Sequence, residues 1–316
     1  METTLLGTTS QPISRVGLGG CPLGGHGWGQ VDEAESVAAV RRALELGVNF
    51  FDTADVYGLG RSEELLARAL GERRRDVVIA SKFGVRWDAS WHTWKDISPG
   101  YARRALEATL RRLCLDCLPL CYIHWPDNIT PVADTIAELD LLRKEGKIRW
   151  IGLSNFSPEQ VGQALSVAPV QAVQVQFSLL DRGHACDLLP LVRGNEITLV
   201  TWGSLAEGLL TGKYDRDSAF TAGDRRNRYE NFRGEKLEHG LRVVDRLKRL
   251  SGGSGRSPAR LAIRWLLDTP GVGSVLFGAK RPQQVEENAG AVHCRLSARE
   301  YRQLEELAQS QERKAA

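Results

Sequence analysis

Four ionisable residues close or follow successive apolar runs in the N-terminal half of the chain. Asp52 ends VNFFD, Tyr57 follows it in ADVYG, Lys82 ends VVIASK, and His124 ends LPLCYIH. A phenol with a pKa of about 10 is a poor proton donor to a carbonyl at neutral pH. A nearby ammonium favours the ionised phenol and lowers that pKa, and a carboxylate paired with the ammonium keeps it placed and charged. An imidazole beside them can orient a carbonyl oxygen or relay a proton. The set suits acid/base work on a carbonyl, without by itself naming the reaction.

His124 has a competing reading, because Cys114, Cys117, Cys121 and His124 are spaced as C-x2-C-x3-C-x2-H, like metal ligands. Strand geometry decides against it. Along a strand alternate residues face opposite ways, so Cys117 and Cys121 point away from His124 and lie roughly 13 Å apart at about 3.3 Å per residue. Zinc–sulfur bonds are about 2.3 Å, so one ion cannot hold both. No metal is predicted, and the cysteines are read as packed thiols. Pro119, lacking an N–H, is expected to make this strand irregular.

The elements that position the four residues follow a repeat. Candidate strands are Arg15–Gly19, Val48–Asp52, Val77–Lys82, Leu118–His124, Arg149–Ser154, Ala172–Gln176, Thr198–Trp202 and Gly273–Phe277. Helical segments between them include Glu33–Leu46, Ser62–Leu70, Pro99–Leu113, Asp134–Glu145 and Pro158–Val167, with Ser98-Pro99 and Ser157-Pro158 as capping pairs. Eight β-then-α units predict an α/β fold, a closed (β/α)8 TIM barrel, with a doubly wound open sheet as the alternative. The C-terminal strand ends of such a barrel share one face, which brings Asp52, Tyr57, Lys82 and His124 together.

Three features depart from the repeat. Thr3–Val16 reads as an N-terminal hairpin turning at Gly7-Thr8-Thr9-Ser10, and a helix is expected at the C-terminus. The link from Gly203 to Ser257 is a long loop after the seventh strand, with a helix near Leu237–Leu250, and is expected to cover a ligand. SGGSG at 251–255 could pass for a linker, but its flanks are too small to be separate domains, so residues 1–316 are read as a single domain.

The 316 residues carry 42 Lys and Arg against 39 Asp and Glu, interspersed, and the net charge of +3 argues for neither nucleic acid nor membrane partners. No secretory leader and no run of about 18 apolar residues stands in the sequence, so a cytoplasmic location is expected. The six cysteines then default to free thiols, and the sequon at Asn128 is idle.

Across nearly its whole length the chain resembles the aldo-keto reductases, through FDTADVYGLGRSEELLARAL, VVIASKFG, YIHWPD, IRWIGLSNFS, VQVQFSLL, WGSLAEGLLTGKY and VLFGAKRPQQVEEN in the family's order. The resemblance implies NAD(P)H-dependent reduction of an aldehyde or ketone, or the reverse oxidation, without a metal. It implies Tyr57 as general acid, Lys82 lowering its pKa, Asp52 pairing with Lys82, and His124 orienting the carbonyl. By the same matching Ser154, Asn155 and Gln174 bind the carboxamide, and Trp202 replaces the family's stacking aromatic. Ser204, Leu205, Gly208, Leu210 and Lys213 line the pyrophosphate path. Gly278, Lys280, Gln284, Glu287 and Asn288 hold the adenosine end. Asp52, Gly20 and Cys21 also fall on the cofactor side, although GLGGCPLGG itself breaks the G-x-G-x-x-G pattern at Pro22. The Lys-Ser pair and Arg that many relatives set around the 2'-phosphate are replaced by Gly278-Ala279-Lys280-Arg281, whose charge still favours NADP(H) over NAD(H).

Trp28, Trp87, Trp91, Trp94 and Trp125 fall on loops expected at the C-terminal face, and Trp28, Trp87 and Trp125, with Tyr57 and His124, are read as the substrate wall. Such a wall suits sugars, aromatic aldehydes or steroids. Two other functions compete with the reductase: a cofactor-binding regulatory module resembling channel-associated β subunits, and a barrel hydrolase or lyase using Asp, Lys and His without cofactor. The physiological substrate, preferred direction and oligomeric state are not legible.

Overall fold

The computed structural model of the chain describes residues 1–252 and 256–309. A hairpin of β1 (Thr3–Leu5) and β2 (Pro12–Ser14) precedes the barrel strands β3 (Val16–Gly19), β4 (Phe50–Asp52) and β5 (Val78–Phe83). A second hairpin, β6 (Val85–Trp87) with β7 (Thr93–Lys95), follows β5. The remaining strands are β8 (Leu118–Ile123), β9 (Ile148–Ser154), β10 (Ala172–Gln176), β11 (Thr198–Trp202) and β12 (Val272–Gly278). The eight barrel strands pair in parallel and in chain order, and β12 returns to pair with β3. The sheet is therefore a closed barrel, and the open-sheet alternative falls.

Helices α1 (Glu33–Glu45), α2 (Arg61–Leu70), α3 (Pro99–Leu113), α4 (Val132–Lys144), α5 (Pro158–Leu165) and α6 (Gly183–Gly194) follow successive strands from β3 to β10. After β11 the long loop carries α7 (Gly234–Ser251) before α8 (Pro258–Asp268), and β12 leads to α9 (Pro282–Ala289) and α10 (Ala298–Gln309). The SGGSG reading falls mostly on residues 253–255, outside the described residues. Among the described residues no helix is long and apolar enough to cross a membrane.

Two apolar clusters explain why the strands read as continuous Val/Ile runs. One lies between the sheet and the helices and takes Leu118, Cys121 and Ile123 from β8. The other fills the barrel with Leu120 and Tyr122 from β8, Phe50, Val78, Ala80, Ala172, Val200 and Leu276. From Leu120 onward the alternation is the one expected, with Cys121 outward and Tyr122 inward. Cys114 caps α3 in the left-handed region (φ 52°), exposed, and Cys117 is half-buried ahead of β8. Leu6 and Ile13 from the first hairpin plug the barrel's N-terminal end, held where Gly7 N donates to Thr198 Oγ1 at 2.7 Å.

Two local expectations need correction. β8 runs through Pro119 without a break, and the missing donor shows only as a skipped pair between Leu118↔Ile148 and Leu120↔Trp150. Ser98 stands at the start of α3, but its hydroxyl caps nothing; its own N–H is instead taken by Asp96 Oδ1 at 2.9 Å. Ser157 does form the full capping box with Gln160.

Tyr122 fits inside the barrel because β9 presents a glycine to it. A Cβ on Gly152 would come within 2.5 Å of Tyr122 Cδ1, and a ring enclosed by neighbouring strands has nowhere to swing. Gly152→Ala is expected to destabilise the chain by about 1–3 kcal/mol through overpacking. Urea unfolding followed by circular dichroism would measure it, and a stability equal to that of the parent chain would refute this account of the interior.

Candidate active site

The C-terminal ends of β4, β5 and β8 bring the four sequence-predicted groups together. Lys82 Nζ donates to Asp52 Oδ1 at 2.5 Å and to Thr53 O at 2.8 Å, with both side chains buried. The second Asp52 oxygen accepts from Gln174 Nε2 at 2.7 Å. The carboxylate is thus held within the protein by a donor on each oxygen. Burial pushes the Asp52 carboxyl up, and Lys82 and Gln174 oppose that.

Tyr57 sits over this pair. Lys82 Nζ lies 5.1 Å from the centre of its ring, and the His124 ring meets it edge-on at 5.7 Å and 82°. Two glycines allow the close approach of the loops beneath: Gly58, with φ 62°, packs where a Cβ would lie 2.9 Å from Gly24 C. Here burial sets the direction of the phenol's shift. Burial first, then Cys21 and Asp52, holds Tyr57 well above its ordinary pKa, and the Arg225 guanidinium is the main influence pulling it down. Lys82 lies beneath the ring, and Arg225 adds a second cation from the long loop.

His124 is buried, and burial followed by the charges of Lys82, Arg225 and Lys95 holds its imidazole well below the ordinary range. It is therefore neutral at neutral pH, and its Nδ1 has no hydrogen-bond partner. Trp125 stacks beside it at 6.4 Å and 28°, and Trp202 meets Trp125 edge-on at 6.4 Å.

The residues assigned to the carboxamide are partly occupied. Asn155, left-handed at φ 64°, donates from Nδ2 to His124 O and to Ser154 Oγ, both at 3.0 Å. Its Oδ1 accepts from Trp202 Nε1 at 3.1 Å, which fixes the edge of the indole. Ser204 bonds within its own turn to Thr201. Leu210 is fully buried in the outer core and its N–H donates to Leu205 O, so its side chain cannot line the path assigned to it. Gly20 N donates to Asp52 O at 2.6 Å, while Cys21 Sγ accepts from Trp28 Nε1 and Arg225 Nη1 at 3.3 and 3.1 Å.

Cations gather where phosphates were expected. Burial first, then Arg226 and Lys213, holds the Lys280 ammonium below its ordinary range, with Asp224 opposing and Arg281 adding to the depression. Gln284 Oε1 accepts from Lys280 N at 2.8 Å. Lys280 Nζ donates to Trp28 O, tying the loop after β3 to the start of α9. A group of like charges with one acid among it is the donor set a diphosphate needs, so these residues fit a dinucleotide cofactor. Glu287 is exposed and Asn288 buried on α9.

Of the tryptophan wall, Trp28 and Trp125 reach the catalytic group, through Cys21 and His124. Trp87 lies in β6 and, among the described residues, has no ring contact with Tyr57 or His124. Trp91, half-exposed, instead stacks on His26 at 4.7 Å and joins the second hairpin to the loop after β3. Sequence reasoning missed that hairpin, together with Arg225 and Tyr229. The stretch RRNRYENFR, dense in arginine and aromatics, was the available signal.

The aldo/keto reductase family model matches residues 15–309. The chain belongs to the aldo/keto reductase family. It is 37% identical over 289 residues to aldo-keto reductase YhdN of Bacillus subtilis, covering 90% of this chain and 87% of that one. It is 33% identical over 331 residues to the NADH-specific methylglyoxal reductase of Escherichia coli, covering 99% and 100%. The solved structure of the glycerol dehydrogenase AKR11B4 from Gluconobacter oxydans superposes with a TM-score of 0.89 at 35% identity, covering 98% and 95%. This aldo-keto reductase is accordingly an oxidoreductase of carbonyl compounds that uses NAD(P)H.

Beside the site, Glu207 is left-handed at φ 54° and its Oε2 is buried without a partner. Burial, then the Asp181 charge, raises its pKa from 4.5 to about 8. An acid raised on folding contributes stability that is present below its unfolded pKa and lost as pH rises through the folded one. Glu207→Gln is therefore expected to raise Tm at pH 9 by about 3 °C or more and to have a much smaller effect near pH 5. Thermal melts at both values test this, and an equal difference at the two would contradict it.

Proposed function

We propose that this aldo-keto reductase reduces an aldehyde or ketone to the alcohol, with Tyr57 donating the proton and NADP(H) preferred over NAD(H). The observation that carries the reading is the edge-on contact of Tyr57 with His124 above the Lys82–Asp52 pair, 5.7 Å between ring centres. A neutral imidazole can donate one N–H to a carbonyl oxygen while the phenol donates the other hydrogen bond, so charge developing on that oxygen meets two donors. The nicotinamide, when bound, supplies the hydride.

Each neighbour then has a task. Asp52 and Thr53 O fix the Lys82 ammonium under the Tyr57 ring, and that fixed charge stabilises the phenolate left after proton transfer. Asn155 holds the Trp202 indole, whose face is suited to stack on a planar ring. Gln174 keeps its Oε1 for a carboxamide N–H while its Nε2 stays on Asp52. Lys213, Arg226 and Lys280 suit the diphosphate, and Lys280 with Arg281 suits a 2'-phosphate.

Tyr57→Phe is expected to lower kcat for benzaldehyde reduction about 10²- to 10⁴-fold while leaving cofactor affinity intact. Nicotinamide absorbance reads the first and tryptophan quenching the second; full turnover in the variant would end the mechanism. The same quenching titration, run with NADPH and NADH, is expected to give the lower Kd for NADPH. Tighter NADH binding would overturn the cofactor preference, and the name of the Escherichia coli relative makes that a pointed comparison.

A further inference from the structure

Arg225 and Arg226 are consecutive in the chain but serve different neighbourhoods. Arg226 turns to Asp224, Tyr214 and the Phe220 ring, and its charge is felt at Lys280, within the cationic group suited to cofactor phosphates. Arg225 turns the other way. Its Nη1 donates to Cys21 Sγ at 3.1 Å, and its guanidinium carbon lies 5.4 Å from the Trp28 ring and 5.6 Å from the Tyr229 ring. Its own N–H donates to Gly27 O at 2.9 Å, which pins this part of the long loop to the loop after β3. The charge reaches both Tyr57 and His124.

Among the described residues no carboxylate lies within ion-pair distance of Arg225. Glu207, an acid that its charge does reach, sits at about 8 and is mostly protonated at neutral pH. Lys95 is in a similar position: its Nζ lies 5.0 Å from the Trp125 ring, it has no carboxylate partner among the described residues, and its charge also reaches His124. Two cations on different loops thus flank the point where a carbonyl would meet Tyr57 and His124. A largely buried guanidinium without a counter-ion is unfavourable unless a ligand supplies the anion. A planar guanidinium fork held by a thiol and two rings, with no carboxylate on it among the described residues, fits a carboxylate ligand.

We propose that Arg225, assisted by Lys95, is an anion receptor in the substrate pocket, so that the enzyme favours carbonyl compounds carrying a carboxylate over neutral ones. This rests on the reductase reading above. Exposed Lys95 contributes attraction at the mouth, and Arg225 the hydrogen bonds inside.

The test compares kcat/KM for 4-carboxybenzaldehyde and 4-nitrobenzaldehyde, whose intrinsic reactivities cancel when proteins are compared. Arg225→Gln is expected to lower the carboxy-to-nitro ratio about tenfold or more, and Arg225→Lys to recover part of it. In the parent enzyme, benzoate is expected to inhibit 4-nitrobenzaldehyde reduction at least about tenfold more strongly than benzamide, a readout that needs no variant. A ratio unchanged in both variants, or benzoate no better than benzamide, overturns the proposal. So does an equal loss for both aldehydes with a raised Kd for NADPH, which would assign Arg225 to a cofactor phosphate. Absence of turnover with every aldehyde and either cofactor would instead remove the reductase reading, and the anion receptor with it.

Discussion

The buried ion pair of Lys82 with Asp52, 2.5 Å long, is the interaction on which the site depends. A buried pair is weak support for stability by itself, because removing two charges from water costs several kcal/mol per ion. It is supported here by two further bonds: Thr53 O takes a second bond from the ammonium, and Gln174 Nε2 donates to the second carboxylate oxygen. Gln174 stands on β10 and Asp52 on β4, on well-separated strands of the ring. That bond can exist only in a closed barrel. Closure is thus the condition for a fixed positive charge beneath the Tyr57 ring, and the interior packing of Tyr122 against Gly152 belongs to the chemistry as well as to the fold.

Above the pair, the loops supply what strands cannot. The strand ends hold Asp52, Lys82 and His124 rigidly, but they leave the phenol with its pKa raised by burial. The opposing charge comes from Arg225, more than a hundred residues further along the chain. The loop after β3 is tied to the long loop by Arg225 N on Gly27 O and to α9 by Lys280 on Trp28 O. Anything that moves these loops therefore changes the charge seen by Tyr57 and His124.

The strands were legible to within one or two residues because a strand buried on both faces reads as an uninterrupted Val/Ile run, and the repeat of eight pointed to closure. The grouping of the four residues was legible because Asp52, Lys82 and His124 stand at the ends of such runs and Tyr57 follows the first of them. The second hairpin was not: β6 and β7 have three residues each, and RWDASWHTWK carries tryptophans and charges with no apolar alternation to mark it. The burial of Tyr57 was not legible, because pairing can be guessed from residue types whereas burial depends on coordinates. Arg225 was hidden for a related reason: in a loop without period, nothing tells which of two adjacent arginines faces which cluster.

The turn after β11 shows why those loop properties gather in one place. Ala206, Glu207 and Gly208 are left-handed in succession, at φ 46°, 54° and 96°, and a non-glycine residue there costs about 1–3 kcal/mol. The strain is held by Ala206 N on Gly203 O at 2.7 Å and Gly208 N on Leu205 O at 2.9 Å, and by Leu209 and Leu210 sunk in the outer core. The same turn buries a carboxyl without a full set of partners. Backbone strain, an under-satisfied acid and a guanidinium lacking a carboxylate each oppose folding, and a stable chain keeps such features where a ligand compensates for them. Leu209 and Leu210 are the anchors that let the turn carry the strain, and Arg225 is the charge through which it is linked to Tyr57 and His124.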